Sequence, residues 1–264
     1  MDNFQHPTHQ PAGKKVAILG GNRIPFARSN GQYANVSNSE MLTAALNGLV
    51  ERYNLQDKRL GEVVAGAVIK LSRDINLTRE CVLSTALSPQ TPAYDVSQAC
   101  ATGLQAAFAV SNKIALGLID SGIAGGVDTT SDAPLGIGDG LRKALLKLNN
   151  AKTNKDRLQA LLSINPKDLI DAPQNGEPRT KLSMGEHQAI TALEWAITRE
   201  AQDEFTFNSH KNLARAYDEG FFDDLITPFK GLTRDNNLRP DISLEKLASL
   251  KPVFGKKNAN PTMT

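Results

Sequence analysis

A chain of 264 residues that is 40% hydrophobic and 22% charged has enough material for a real core in one large or two modest domains, which excludes a wholly disordered polymer. Thirty Lys and Arg against twenty-eight Asp and Glu leave a formal charge of +2, so there is no global positive field to make nucleic acid the default partner. Two cysteines, Cys81 and Cys100, are too few for a disulfide framework and form no zinc-ligand spacing with the histidines, which points to a reducing, cytoplasmic setting.

The opening "MDNFQHPTHQPAGKK" has no apolar core of the signal-peptide type, and nowhere do enough apolar residues run together to span a bilayer. Residues 1–13 read as a frayed tail. Val16–Leu19, ended by Gly20-Gly21 and Pro25, reads as a buried strand feeding a loop. Ser37 with Glu40 makes a candidate capping box. Behind it Leu42, Ala45, Leu46, Leu49, Val50 and Tyr53 recur at helical spacing.

"GEVVAGAVIK" reads as the next strand, "NLTRECVLSTAL" as a helix with Cys81 in its core, and "PAYDVSQA" as a third strand running into a helix at Cys100. "DSGIAGGVDTTSDAP" reads as a strand ending in glycines and hydroxyls, where Gly125-Gly126 suits close backbone packing better than a phosphate loop. This alternation predicts a layered α/β core over 14–132. Residues 133–255 read as a mostly helical lid insertion broken by "DAPQNGEPRTKLSMGEH", with one short helix near its end, and 256–264 as the start of a further core strand.

Cys100 stands where a β-like run meets a helix of small residues. A thiol acts through its thiolate, and a helix N-terminus favours that anion by about 0.3–1 kcal/mol, far less than a paired histidine supplies. A complete catalytic site there needs another group. The alanines and glycine around Cys100 let other backbones approach and predict burial at the centre of the fold, so on local pattern alone an inert core cysteine is the commoner outcome and a nucleophile stays open beside it.

Five segments taken together resemble the thiolase family of acyl-CoA:acetyl-CoA C-acyltransferases. "NRIPFARSNG" is similar to the family's Arg-Thr-Pro opening, with Ile24 in place of Thr. "SQACATGLQAA" is similar to its nucleophile segment at Cys100, Gly103, Leu104, Gln105 and Ala106. "IAGGVDTTSDAPLG" follows its glycine-glycine-x-acidic segment through Gly125, Gly126, Asp128, Ser131, Ala133 and Pro134. "LSMGEH" stands at the lid's methionine-glycine motif, and "LRPDISLEKLASLKPVF" resembles the stretch before the next core strand.

The resemblance, closest to the trifunctional β-subunit kind of fatty-acid β-oxidation thiolase, implies the first half of a five-layered α-β-α-β-α fold and a homodimer or higher oligomer, with a β-oxidation subunit as a possible partner. It implies a ping-pong reaction in which Cys100 accepts an acyl group from a 3-ketoacyl-CoA and passes it to CoA. CoA and acyl-CoA are then substrates, no cofactor is held permanently, and Ser183 and Met184 of the lid are the positions expected against CoA. The family's glycine-histidine-proline motif and its second catalytic cysteine do not occur in these 264 residues, so the chain reads as a thiolase cut short.

His187 reads as a polar loop residue in solvent, His210 as part of a solvated helix face, and His6 and His9 as tail. The basic run over 141–157 reads as a solvated face, with CoA phosphate, a membrane surface or a partner subunit as alternatives. Two rival functions stand beside the enzyme: a catalytically silent CoA-binding or assembly module, and a decarboxylating condensing enzyme of related fold.

Overall fold

The first helix, α1 (Asn38–Arg52), begins with the capping box read from sequence: the Ser37 hydroxyl accepts from the Glu40 N–H and the Glu40 carboxylate accepts from the Ser37 N–H. The computed structural model describes residues 14–171, 174–256 and 261–264, and the tail expected over 1–13 lies outside them. The chain divides into two compact units. One runs to Pro25 and takes Ser29–Asp132 and Leu225–Thr233; the other is Phe26–Arg28, Ala133–Asp224 and Arg234–Thr264.

The first unit is built on a three-stranded parallel sheet in the order β2 (Ala93–Asp95), β1 (Glu62–Ala65), β3 (Gly122–Ala124). Its central strand reads Glu-Val-Val-Ala and is buried throughout, as expected of a parallel strand covered on both faces. Val63 and Ala65 join Leu42, Leu46 and Val50 of α1 and Leu77, Cys81 and Val82 of α2 (Leu77–Leu83) in one core. Val64 faces the other way, onto Ala106 and Val110 of α3 (Thr102–Ala115). The result is an α-β-α sandwich, in which each fully buried Val contributes about 1.5–3 kcal/mol. Glu62, at the buried start of β1, is neutralised by the Lys113 ammonium of α3.

Two expectations fail here. Val16–Leu19 is not a strand: residues 15–22 make no backbone-to-backbone hydrogen bond among the described residues, and Ile18 is 95% exposed. A strand requires a neighbour, and nothing described pairs with this segment, so Ile18 and Leu19 stay in the open. The burial expected at Cys100 also fails. Helix α3 buries only Thr102, Ala106 and Val110, leaving Cys100, Leu104 and Phe108 on an exposed face.

Residues 225–233, which the sequence reading groups with the lid, return to the first unit. The Arg23 N–H donates to the Leu225 carbonyl at 2.9 Å and the Thr227 N–H donates to the Arg23 carbonyl at 2.9 Å.

The second unit opens with an excursion whose ends meet. β4 (Gly136–Ile137) pairs antiparallel with β5 (Ile170–Asp171), and between them lie α4 (Asp139–Asn150), α5 (Asn154–Leu162) and a 3-10 turn at Pro166–Asp168. The basic run is therefore two helices. Gly138 admits the return, since a Cβ there would stand 2.1 Å from the Asp168 carbonyl oxygen.

Helices α5, α6 (Met184–Glu194), α7 (Arg199–Asp218) and α8 (Leu244–Ala248) each start on a Ser or Thr side chain that accepts a first-turn N–H. The Arg199 guanidinium pairs with Asp203 at 2.8 Å and donates to the Leu250 carbonyl at 3.1 Å, binding α7 to the end of α8. The strand expected over 256–264 falls partly outside the described residues; Met263 offers its carbonyl to the Val253 N–H at 2.8 Å.

Candidate active site

Three parallel strands end side by side, and the loops leaving them form one edge, the usual place for a ligand in such sheets. Each loop is held by a side chain from its neighbour. Asp128, just beyond β3, accepts from the Val68 N–H at 3.0 Å and the Ile69 N–H at 2.8 Å. Asp95, the last residue of β2, accepts from the Leu77 N–H at 3.1 Å, the Thr78 N–H at 2.8 Å and the Lys70 ammonium at 3.0 Å. Burial pushes the Asp95 carboxyl up, but the Thr78 and Lys70 hydrogen bonds outweigh it and hold the group below the usual carboxylate range.

The loops also approach backbone to backbone. A Cβ on Gly66 would stand 2.0 Å from the Val96 carbonyl oxygen, and one on Gly126 would stand 3.2 Å from the Gly66 carbonyl oxygen and 4.0 Å from the Gly103 Cα. Close packing is thus the role of Gly126 at the strand end.

Cys100 sits at this edge, one residue before the Ala101 cap of α3. The preceding Ala99 holds φ +45°, a left-handed conformation that costs a non-glycine residue about 1–2 kcal/mol. Thr102 secures it. Its hydroxyl donates to the Ala99 carbonyl at 2.7 Å and accepts from the Gln98 N–H at 2.9 Å, while the Ala101 N–H closes onto the Gln98 carbonyl at 3.0 Å. This tight turn lifts the Cys100 side chain into the open at the positive end of α3, where no side chain caps the helix.

No described side chain hydrogen-bonds the Cys100 thiol. Cys81 differs: it is fully buried beside Ser39, and burial pushes its thiol up. Among the described residues no group of three acidic, His or Cys side chains is placed to hold a metal ion, and no helix is long and apolar enough to cross a membrane.

The lid motif in the second unit has its own local logic. Ser183 caps α6, its hydroxyl accepting from the Glu186 N–H at 3.3 Å, and Met184 is 61% exposed. Gly185 is required by Phe254, whose ring atoms would lie 2.6 Å from a Cβ, and the Glu186 carboxylate accepts from the Gly255 N–H at 3.0 Å. "LSMGEH" and the end of "LKPVF" are therefore one packed junction. Both histidine expectations are corrected here. His187 is half-buried in the first turn of α6, with Nε2 3.2 Å from the Thr180 hydroxyl. His210 is half-buried on α7 and accepts from the Arg239 N–H through Nδ1 at 3.3 Å. Each ring found a local polar partner that periodicity does not reveal.

Sequence reasoning did not single out Asp95, Lys70 or Thr102. The available signal was position, a carboxylate ending a strand and a hydroxyl two residues after the cysteine. The family model for the thiolase N-terminal domain matches residues 16–262. The chain belongs to the thiolase family. A 3-ketoacyl-CoA thiolase of Pectobacterium carotovorum is 36% identical over 257 residues, covering 95% of this chain and 59% of the relative. One from Vibrio cholerae is 37% identical over 258 residues, with the same shares covered. This thiolase chain thus spans about three-fifths of the length of these curated relatives. The crystal structure of the acetyl-CoA acetyltransferase of Bacillus anthracis superposes with a TM-score of 0.76 at 26% identity, over 92% of this chain and 60% of that one.

Proposed function

We propose that this chain carries the acyl-accepting half of a 3-ketoacyl-CoA thiolase, with Cys100 as the nucleophile. The Cys100 thiolate attacks the 3-keto carbon, the bond between C2 and C3 breaks, and acetyl-CoA leaves after C2 takes a proton. The thiolate of a second CoA then attacks the acyl-thioester and returns the electron pair to Cys100. The single observation that carries this reading is the exposed thiol on a locked turn at the positive end of α3, in a chain of this family.

Ser183 and Met184 are assigned to the CoA side of the lid. The Met184 side chain is open to solvent, whereas the Ser183 hydroxyl is engaged in capping α6, so its contact with CoA would use the backbone or the hydroxyl's remaining capacity. CoA and acyl-CoA are substrates, and nothing is held permanently. A homodimer or higher oligomer in the cytoplasm, with a β-oxidation subunit as partner, completes the reading.

The proton transfers need a group that the described residues do not place on the sulfur, since no described side chain hydrogen-bonds the Cys100 thiol. That observation also favours a second reading, a catalytically silent CoA-binding or assembly module. Peptide mass spectrometry after incubation with acetoacetyl-CoA tests both, using the chain alone and the chain supplemented with the C-terminal part of the Vibrio relative. An acetyl adduct on Cys100 in the supplemented sample, missing in Cys100→Ser, is expected. Its absence there overturns the enzyme reading, and turnover by the chain alone above the Cys100→Ser control overturns the silent module.

A further inference from the structure

We propose that His210 is a pH latch: its neutral ring holds one wall of a basic cavity onto α7, and its protonation lets that wall go. The cavity, about 360 Å³, lies within the second unit and is lined in part by Arg28, Arg239, Asp241 and Lys246. The wall is the segment 239–242, and two consecutive side chains of α7 hold it. The His210 Nδ1 accepts from the Arg239 N–H at 3.3 Å, and the Lys211 ammonium donates to the Pro240 carbonyl at 2.7 Å. Pro240 keeps Arg239 out of the helical region, and among the described residues its N–H has no other acceptor.

The acceptor is the unusual part. A carbonyl or carboxamide oxygen would hold that N–H at every pH, whereas imidazole gains a proton between about pH 8 and pH 5 and then carries N–H groups on both nitrogens. Two donors would then face each other across 3.3 Å. The added charge also falls among cations, with Lys211 on α7 and Arg239 and Lys246 beside the cavity against one acid, Asp241, which Lys246 already pairs at 3.2 Å.

None of the neighbouring charges changes in that range. The Lys246 hydrogen bond holds the Asp241 carboxyl below the usual carboxylate range, and its own backbone N–H does the same for Glu245 at the start of α8. Ammonium and guanidinium groups lose their protons only well above it. Once the ring is charged, Lys211 still grips Pro240, so the release is local: Arg239 turns out from α7 and the cavity loses the side that Arg239 supplies.

The test uses the full 264-residue chain and reads the latch by amide hydrogen exchange, with each rate corrected for the intrinsic effect of pH. The Arg239 protection factor is expected to fall about tenfold between about pH 7.5 and about pH 5.5. At the higher pH, nitrogen-15 spectra are expected to show the His210 ring protonated on Nε2. His210→Asn offers a neutral amide oxygen in place of Nδ1 and is expected to keep Arg239 protected at both pH values. His210→Ala is expected to lose that protection at both, with an unchanged circular dichroism spectrum. His187→Asn, the same change on α6, is expected to leave the pH dependence as in wild type. Wild-type protection that does not vary with pH, a fall that persists in His210→Asn or vanishes in His187→Asn, or a neutral ring protonated on Nδ1 overturns the proposal. So does a His210→Ala chain as well protected as wild type, which would show that Lys211 alone holds the segment.

Discussion

The Thr102 hydroxyl reaches back 2.7 Å to the carbonyl of Ala99 and fixes a left-handed residue immediately before the exposed thiol. Thr102→Val keeps the shape and removes the clamp, leaving the Gln98 N–H and Ala99 carbonyl short of a partner. It is expected to cost about 1–3 kcal/mol in urea denaturation, and Thr102→Ser to restore most of it. Equal stability of the valine variant and wild type would show that the turn holds itself.

Cys100 and Cys81 should react as two different thiols. Iodoacetamide is expected to label Cys100 in the folded chain and to spare Cys81 until denaturant is added, because burial both seals Cys81 and raises its thiol. Peptide mapping reads the two sites separately. Native labelling of Cys81 at the rate of Cys100 contradicts the buried placement.

Asp95 ties β2 to α2 and the loop after β1, and its carboxyl is lowered in the folded state. A depressed carboxyl stabilises the fold above the unfolded value of about 3.9 and loses that contribution as pH falls through the folded value. Asp95→Ala is therefore expected to destabilise the chain by about 2 kcal/mol at neutral pH, with the gap to wild type closing toward acid. Melting curves across that range check it, and a pH-independent gap would remove the ionised carboxylate from the account.

Two glycines at the candidate site make opposite predictions. Gly66→Ala places a Cβ 2.0 Å from the Val96 carbonyl oxygen and is expected to cost about 1–3 kcal/mol or more, whereas Gly103→Ala meets nothing within 4 Å. Inside α3 the latter is expected to be neutral or to stabilise by up to about 1 kcal/mol. Thermal unfolding of the pair decides, and a tolerated Gly66→Ala would mean the loops after β1 and β2 move apart freely.

Arg199 is half of a nearly buried pair with Asp203 and also serves the carbonyls at the end of α8. Arg199→Ala leaves the Asp203 carboxylate without its cation and is expected to cost about 3–5 kcal/mol, and Arg199→Lys to recover only part of it because an ammonium lacks the forked geometry. Urea titration of both variants is the measurement.

Local sequence carried a great deal. The capping box at Ser37 and Glu40, the unbroken apolar run at Val63–Ala65 and the helical position of Cys81 each depend on neighbours within one turn or one strand, so spacing alone placed them. Five ordered motifs carried the family and pointed to Cys100. Spacing did not tell which face of α3 is covered, and the small residues read as general burial became a helix buried on one side only. The histidines show the same limit: Thr180 and Arg239, the groups that engage His187 and His210, cannot be identified from helical period.

What the sequence by itself determined is therefore most of the elements, the family and the candidate nucleophile, because these follow from periodicity, capping chemistry and ordered motifs, whereas the exposure of Cys100 came from the structure. Tertiary structure alone decided that Val16–Leu19 stays unpaired, that residues 225–233 return to the first unit, and that Asp95, Asp128 and Thr102 hold the loops around Cys100. Those outcomes depend on contacts between residues far apart in the chain, and a hydrogen bond or a close glycine contact is specified by where two backbones meet, which one-dimensional spacing does not encode.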